Sequence, residues 1–303
     1  CLNCIESVAN GVSVKCAVNP KLGYEIEYED YKKIDEEKTV AVLGGGPAGM
    51  EAARVLATRG FKVVLFEKRE RLGGSVYLGT IPPHKQLLQS FIDNMEYQIR
   101  ELGVDIRLNT APTIEELKEL DPYAVFVAIG GKNISPPMIE VDGEKVLFAT
   151  DVLERELDVE NKKIVVVGSG MTGLETAEYL AAKGNSVTVV EMLKEIGPDI
   201  YGSVLYDIVT RLKKLDVELI PSRKFIGYEE KGAIVKDTYS NENSIIEADH
   251  IVLALGVKGL EEDELVQELY ENFDMVRLLG DSKGAGKIYD ATKTGFDSAY
   301  TLE

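Results

Sequence analysis

Short, dense apolar runs alternate with polar stretches along the chain, and the runs come in pairs. The stretch "TVAVLGGGPAGMEAARVLATRGFKVVLFEK" shows the first pair. Val40, Ala41, Val42 and Leu43 form an unbroken apolar run, the pattern of a strand covered on both faces in a parallel sheet. Glycines interrupt it. Beyond them Met50, Ala53, Val55 and Leu56 recur at helical spacing until Gly60 ends the pattern, and "KVVLFEK" predicts a second strand. This is a βαβ unit. It returns 124 residues later, counted from Gly44 to Gly168, in "KKIVVVGSGMTGLETAEYLAAKGNSVTVVEM". Here the predicted strand covers 164–167, the helix runs near 174–183, Gly184 ends it, and 187–190 is the next strand. A repeat of a whole supersecondary unit points to two nucleotide-binding halves rather than to a solenoid.

The remaining pattern fills in each half. Apolar runs at 123–131 and 250–258 predict one more buried strand apiece, each running into glycine. Residues 231–249 alternate apolar and polar around "SNENS", which predicts a β-hairpin or meander. The tail "VRLLGDSKGAGKIYDATKTGFDSAYTLE" predicts a strand, a glycine-rich turn and a final helix. Residues 1–20 read as turn-rich, and 21–37 as an extended connector whose acidic residues form a solvated surface. Thr113 followed by Glu116 predicts a capping box.

Composition narrows the partners. With 34 basic against 52 acidic residues the formal charge is −18, and no basic stripe is present to displace counterions from nucleic acid. The same charge disfavours an anionic membrane surface. No apolar run reaches the roughly 18 residues of a membrane span, and no signal segment opens the chain, so a cytoplasmic setting is expected. There cysteines stay reduced. Cys1, Cys4 and Cys16, the only three, therefore suggest metal or redox chemistry before disulfides.

Each repeat carries a phosphate-binding fingerprint. In Gly44-x-Gly46-x-x-Gly49 the first glycine permits the tight turn, the second lets backbone approach a pyrophosphate, and the third allows close helix packing. The helix N-terminus that follows favours the phosphate charge. Glu67, 18 residues beyond Gly49, is placed to accept from the ribose hydroxyls. Gly168-x-Gly170-x-x-Gly173 repeats the arrangement, with Glu191 again 18 residues on. A 2′-phosphate beside Glu191 would set like charges together, and "MLKEIG" follows without an arginine, so NAD(H) is expected over NADP(H); Lys194 is the nearest opposing charge.

Taken together, "VAVLGGGPAGMEAARVLATRGFKVVLFEKRERLGGSVYLGTIPP", "VAIGG" and "LLGDSKGAGKIYDATKTGFDSA" resemble the C-terminal half of NADH:flavin oxidoreductases related to 2,4-dienoyl-CoA reductase and trimethylamine dehydrogenase. The resemblance covers essentially the whole chain. It implies an α/β fold of two Rossmann-like, glutathione-reductase-like dinucleotide-binding domains, the second inserted in the first. The expected division is a cysteine-containing segment and connector at 1–37, an FAD-binding domain at 38–150 plus 258–303, and an NAD(H)-binding domain at 151–257.

The resemblance also implies site residues. Gly44, Gly46, Pro47, Ala48, Gly49, Glu67 and Lys68 would hold the ADP part of FAD, with Gly73, Gly74, Gly130, Gly280 and Asp281 along the rest of the cofactor. Gly168, Gly170, Met171, Thr172, Gly173, Glu175, Glu191 and Gly256 would hold NAD(H). Ala128-Ile129-Gly130 stands where relatives often read Ala-Thr-Gly, which removes one local hydroxyl contact.

Relatives carry four thiolates for a [4Fe–4S] cluster, the last two separated by eleven residues, and Cys4-x11-Cys16 followed by "VNP" matches. Cys1 and Cys4 would then be the second and third ligands, the first lying upstream. A competing alignment makes them the first two, with Val8 in place of the third. The better alignment, the absent initiator methionine and the terminal "LE" suit a fragment, preceded in the parent by an FMN-bearing barrel of the same polypeptide. With three thiolates, no intact cluster is expected in the isolated chain.

Other chemistry recedes. Both domains lack cysteine after position 16, which excludes a disulfide reductase. His250 reads as a structural or solvated residue, His84 as a surface-loop residue with a place near the flavin as the alternative, and Tyr77 equally as packing on the flavin or as ordinary core or surface packing. The expected function is transfer of hydride from NADH to FAD and of electrons onward to a small-molecule substrate such as an activated alkene. No side-chain acid or base is needed for that first step. A non-catalytic ADP- or FAD-binding module of the trimethylamine dehydrogenase type is the alternative. A homo-oligomer is compatible with either.

Overall fold

The computed structural model describes residues 2–137 and 139–303. After helix α1 (Asn3–Ala9) comes strand β1 (Thr39–Leu43), then α2 (Pro47–Thr58) and β2 (Lys62–Phe66). The chain continues through α3 (Ser75–Leu78), α4 (Gln86–Glu101), β3 (Asp105–Arg107), α5 (Ile114–Leu120), β4 (Ala124–Val127) and β5 (Lys132–Asn133). Next are β6 (Val146–Phe148), α6 (Ala149–Glu154), β7 (Lys163–Val167), α7 (Met171–Ala182), β8 (Ser186–Val190), α8 (Gly202–Lys214) and β9 (Glu218–Ile220). A meander follows: β10 (Arg223–Glu229), β11 (Gly232–Asp237) and β12 (Asn243–Glu247). The chain closes with β13 (His250–Leu253), β14 (Val257–Lys258), α9 (Glu264–Asn272), β15 (Val276–Leu278) and α10 (Ile288–Tyr300).

Two compact units result. The first takes the chain up to Tyr77 with Gln86–Lys132 and Val257–Glu303; the second takes Leu78–Lys85 and Asn133–Gly256. Residues 133–150 thus fall in the second unit, where the sequence pattern places them in the first. The reason is β6, which pairs in parallel with β13 through Ile251↔Val146 and Leu253↔Phe148. The cysteine-containing segment and connector, from residue 2 to residue 37, belong to the first unit.

The first unit is built on a parallel sheet of order β15-β4-β1-β2-β3. Chain order reverses between β1 and β4, which leaves a crevice beyond their C-terminal ends. Val40, Ala41, Val42, Val125, Phe126 and Val127 are fully buried, as a strand covered on both faces requires. Each large side chain so buried contributes about 1.5–3 kcal/mol of apolar transfer. Helix α10 crosses α2 closely: a Cβ on Gly295 would come 2.3 Å from the Ala48 carbonyl oxygen. That crossing fixes the first turn of α2.

The connector docks on α10 through its tyrosines. Tyr28 meets Phe296 edge-on at 4.9 Å and Tyr300 at 5.0 Å, and its hydroxyl donates to Asp297 at 3.1 Å. Tyrosines supply both apolar area and a polar tip, and here they anchor a charged segment to α10. Its acidic side chains Glu25, Glu27 and Glu29 stay exposed, as expected.

The second unit repeats the plan with order β6-β13-β7-β8-β9, all parallel. The reversal lies between β7 and β13, paired through Val167↔Leu253. Helix α7 begins at Met171, not near residue 174, because Gly170 in extended conformation serves as N-cap. The predicted meander is an antiparallel three-stranded sheet, β10-β11-β12, whose Phe225, Ala233 and Val235 close one side of the unit's core. No helix among the described residues is long and apolar enough to cross a membrane.

Candidate dinucleotide sites

Both crevices open where a strand passes through a glycine turn into a helix. In the first unit Gly44 has φ +102°, and an added Cβ would sit 2.3 Å from the Ala128 carbonyl oxygen. A Cβ on Gly49 would lie 1.9 Å from the Gly44 oxygen. These two glycines are demanded by the protein's own packing. Gly46 is different: the nearest atom to an added Cβ is the Cα of Gly74, at 3.9 Å. Gly46 is the N-cap of α2, Pro47 follows at the first helical position, and the amides of Ala48 and Gly49 belong to the turn that has no intrahelical acceptor.

Glu67 immediately follows β2 at the mouth of this turn and is 4% exposed. Its Oε2 accepts from the Gly45 amide at 2.8 Å and its Oε1 from the Arg69 amide at 2.9 Å. The carboxylate is therefore held in one orientation with acceptor capacity left on each oxygen. The other predicted residues gather round the same turn. Gly74 abuts Gly46, and an added Cβ on Gly280 would lie 2.9 Å from the Ala48 Cβ. Gly130 has open space before it, and its carbonyl accepts from the Ser282 hydroxyl at 2.9 Å. Lys68 is exposed at the rim. Gly73 packs against Ile92 and Tyr77 instead of standing free, and Arg71 lies 4.0 Å over the Tyr77 ring. Burial pushes the Asp281 carboxyl above its ordinary range, against the Gly286 amide that donates to it at 3.1 Å.

The second unit reproduces this geometry. Gly168 has φ +102° and an added Cβ 2.5 Å from the Ala254 oxygen, and Gly173 would meet the Gly168 oxygen at 2.1 Å. Gly170 has nothing within 4 Å of an added Cβ. Glu191 Oε2 accepts from the Ser169 amide at 2.9 Å and Oε1 from the Leu193 amide at 3.0 Å, position for position with Glu67. One addition is the Ser169 hydroxyl, which donates to Glu191 at 2.7 Å and accepts from the Gly197 amide at 2.9 Å. A crevice of about 470 Å³ opens here, bordered by Gly168, Gly170, Met171, Thr172, Glu191 and Gly256 among others.

Glu175 sits on α7, beyond the glycine turn. It is buried and ion-paired with Lys85, from the 78–85 strap of the same unit. Burial raises its carboxyl above the ordinary range, opposed chiefly by Lys85. Sequence reading missed Lys85, Ser169 and Arg223, which lines the second crevice. Ser169 occupies the variable position of its fingerprint, so that signal was available. Arg223 carries no motif, since it reaches Glu191 by tertiary packing.

The predicted ligand Cys1 lies outside the described residues. Cys4 is exposed and Cys16 half-buried. Asn3 donates to the Lys15 carbonyl at 3.0 Å and the Lys15 amide to Ser7 Oγ at 3.1 Å, which clamps the neighbourhoods of the two thiols together. Among the described residues no group of three His, Cys, Asp or Glu is placed to hold a metal. His250 Nδ1 lies 2.7 Å from the Glu144 carbonyl oxygen in a structural contact, and His84 is exposed with φ +66°.

Comparison with known proteins gives a family. Residues 38–269 match the model of the pyridine nucleotide-disulphide oxidoreductases. The chain is 33% identical to an NADH oxidase of Thermoanaerobacter brockii, over 99% of its own length and 46% of that protein's. It is 36% identical to a cinnamate reductase of Clostridium sporogenes, over 100% and 45%. The solved structure of a 2-naphthoyl-CoA reductase superposes with a TM-score of 0.91 at 29% identity, covering 99% of this chain and 45% of that one. The chain therefore spans less than half the length of these relatives. A thioredoxin reductase of T. acidophilum, at 16% identity and a TM-score of 0.63, shares the fold.

Proposed function

The chain belongs to the pyridine nucleotide-disulphide oxidoreductase family, and from that premise we propose that it is the NADH-oxidising flavin module of a larger redox enzyme. One observation carries the reading: two glycine turns, each with an oriented buried carboxylate at its mouth, repeat the same hydrogen bonds in both units. Two such crevices suit two adenine dinucleotides.

The first crevice fits FAD. Gly46, Ala48 and Gly49 offer backbone to the pyrophosphate, Glu67 accepts from the ribose, and Gly74, Gly130, Gly280 and Asp281 border the remainder. When bound, the flavin supplies a two-electron acceptor for hydride and a one-electron donor onward. The second crevice takes NADH, its ribose on Glu191 and its pyrophosphate on the first turn of α7. The protein's work is binding and orientation. The Lys85–Glu175 pair holds the strap against α7 and keeps a carboxylate close to the nucleotide turn.

Downstream, Cys1, Cys4 and Cys16 with a fourth thiolate from a preceding segment would ligate a [4Fe–4S] cluster in the parent protein. The clamped Asn3–Ser7–Lys15 backbone supports that placement. Electrons would reach an FMN-bearing barrel and reduce an activated alkene or enoyl thioester. The names of the cinnamate and naphthoyl-CoA reductases favour that substrate class.

The test is cofactor content. Denatured purified chain should release FAD in near-equimolar amount by mass spectrometry. Release of ADP alone would instead support a structural nucleotide site.

A further inference from the structure

The lining of the second crevice includes a basic residue, Arg223, that its glycine fingerprint does not predict. Arg223 opens β10, and its amide donates to the Glu191 carbonyl at 2.7 Å, so the two residues are immediate neighbours. Both line the crevice with Ser169 and Met192. A guanidinium beside the ribose is what an NADP 2′-phosphate recruits. A carboxylate beside the ribose is what repels it. The two signals conflict unless one is silenced.

Asp237 silences it. Arg223 and Asp237 are directly opposed partners across β10 and β11, and their side chains form an ion pair. Arg223 Nη1 also donates to the Ser222 carbonyl at 3.1 Å. Asp237 cannot follow the arginine elsewhere. Its Oδ1 accepts from the Tyr239 amide at 2.8 Å and the Ser240 amide at 2.9 Å, which fixes the carboxylate on the 237–240 turn. Those amides, with Arg223, hold the Asp237 carboxyl below its ordinary range, so it stays charged at neutral pH. Lys224 also borders the crevice, but its side chain is exposed.

We propose that Asp237 is a specificity-determining positioning residue: by neutralising and tethering Arg223 it withholds a 2′-phosphate site and leaves Glu191 to select NADH over NADPH. This rests on reading the crevice as the nicotinamide dinucleotide site.

The experiment is equilibrium titration of the full chain with NADH and with NADPH, for wild type, Asp237→Asn and the double variant Asp237→Asn/Arg223→Gln. Asn retains an oxygen for the turn amides and removes only the charge. The expected result is NADH preference in wild type and a roughly three- to fivefold fall in the NADPH-to-NADH Kd ratio for D237N, with NADH affinity held within about twofold. The double variant should return to the wild-type ratio, which assigns the gain to Arg223 and not to Lys224 or to loosened structure. Asp237→Ser serves if the first variant melts early. A flat ratio in D237N while wild type binds NADH overturns the proposal alone, as does a wild type that prefers NADPH. Wild type binding neither dinucleotide overturns the site reading and the proposal with it.

Discussion

Substituting alanine at Gly170 and at Gly173 should separate binding from folding within one fingerprint. Gly173 is helical, and its added methyl would lie 2.1 Å from the Gly168 oxygen and 3.2 Å from the Ala254 Cβ. The oxygen belongs to backbone at the end of β7, so relief requires a shift of the whole first turn of α7 against the sheet. Overpacking of this kind costs about 3 kcal/mol. For a unit of this size that lowers Tm by about 10 °C. Gly170 has open space around the same position and a φ of −63° that alanine adopts freely. Loss of glycine's unfolded-state freedom contributes about 0.5–1 kcal/mol. The weaker N-cap offsets a similar amount. Net stability should hardly change. Binding should: the methyl occupies the approach of a pyrophosphate to the α7 turn, and losing that contact raises the NADH Kd at least about tenfold. Thermal melts and NADH titrations of both variants are the assay. G170A that binds NADH as wild type does, or that melts as early as G173A, would refute the reasoning.

Three further outcomes follow from buried contacts. Glu51 is 3% exposed and held by Arg54 at 2.6 and 2.9 Å, so Arg54→Ala should cost about 3 kcal/mol in urea unfolding by stranding a buried acid. Gly295→Ala should destabilise by about 2–3 kcal/mol and weaken flavin retention together, because its methyl would press on the Ala48 carbonyl at the nucleotide turn. Glu175 has its folded value raised by burial, so its contribution relative to Gln is greatest at acid pH and is lost as pH rises through that value. The stability of wild type minus that of Glu175→Gln, from denaturant midpoints, should therefore fall as pH rises above the ordinary carboxylate range.

What was legible in the sequence was whatever local chemistry dictates. Fully apolar runs such as 40–43 and 164–167 announce strands buried on both faces, and the glycine spacings announce turns that no other residue fits. The glutamates were legible because chain distance to the next strand end is nearly constant in a βαβ unit. Tertiary facts were not. The strand Val146–Phe148 joins the second sheet through pairing with Ile251–Leu253, which no local pattern encodes. Nothing local tells that the connector's Tyr28 packs on Phe296 and Tyr300 of α10. Arg223 and Asp237 are fourteen positions apart, and only the register of the meander brings them opposite each other.

Anaerobic titration of the FAD-loaded chain with NADH, followed by the flavin's visible absorption, tests the central claim most directly. Two working dinucleotide sites predict that NADH bleaches the flavin, and that Glu191→Ala slows this without releasing FAD. Flavin that stays yellow under saturating NADH would contradict it.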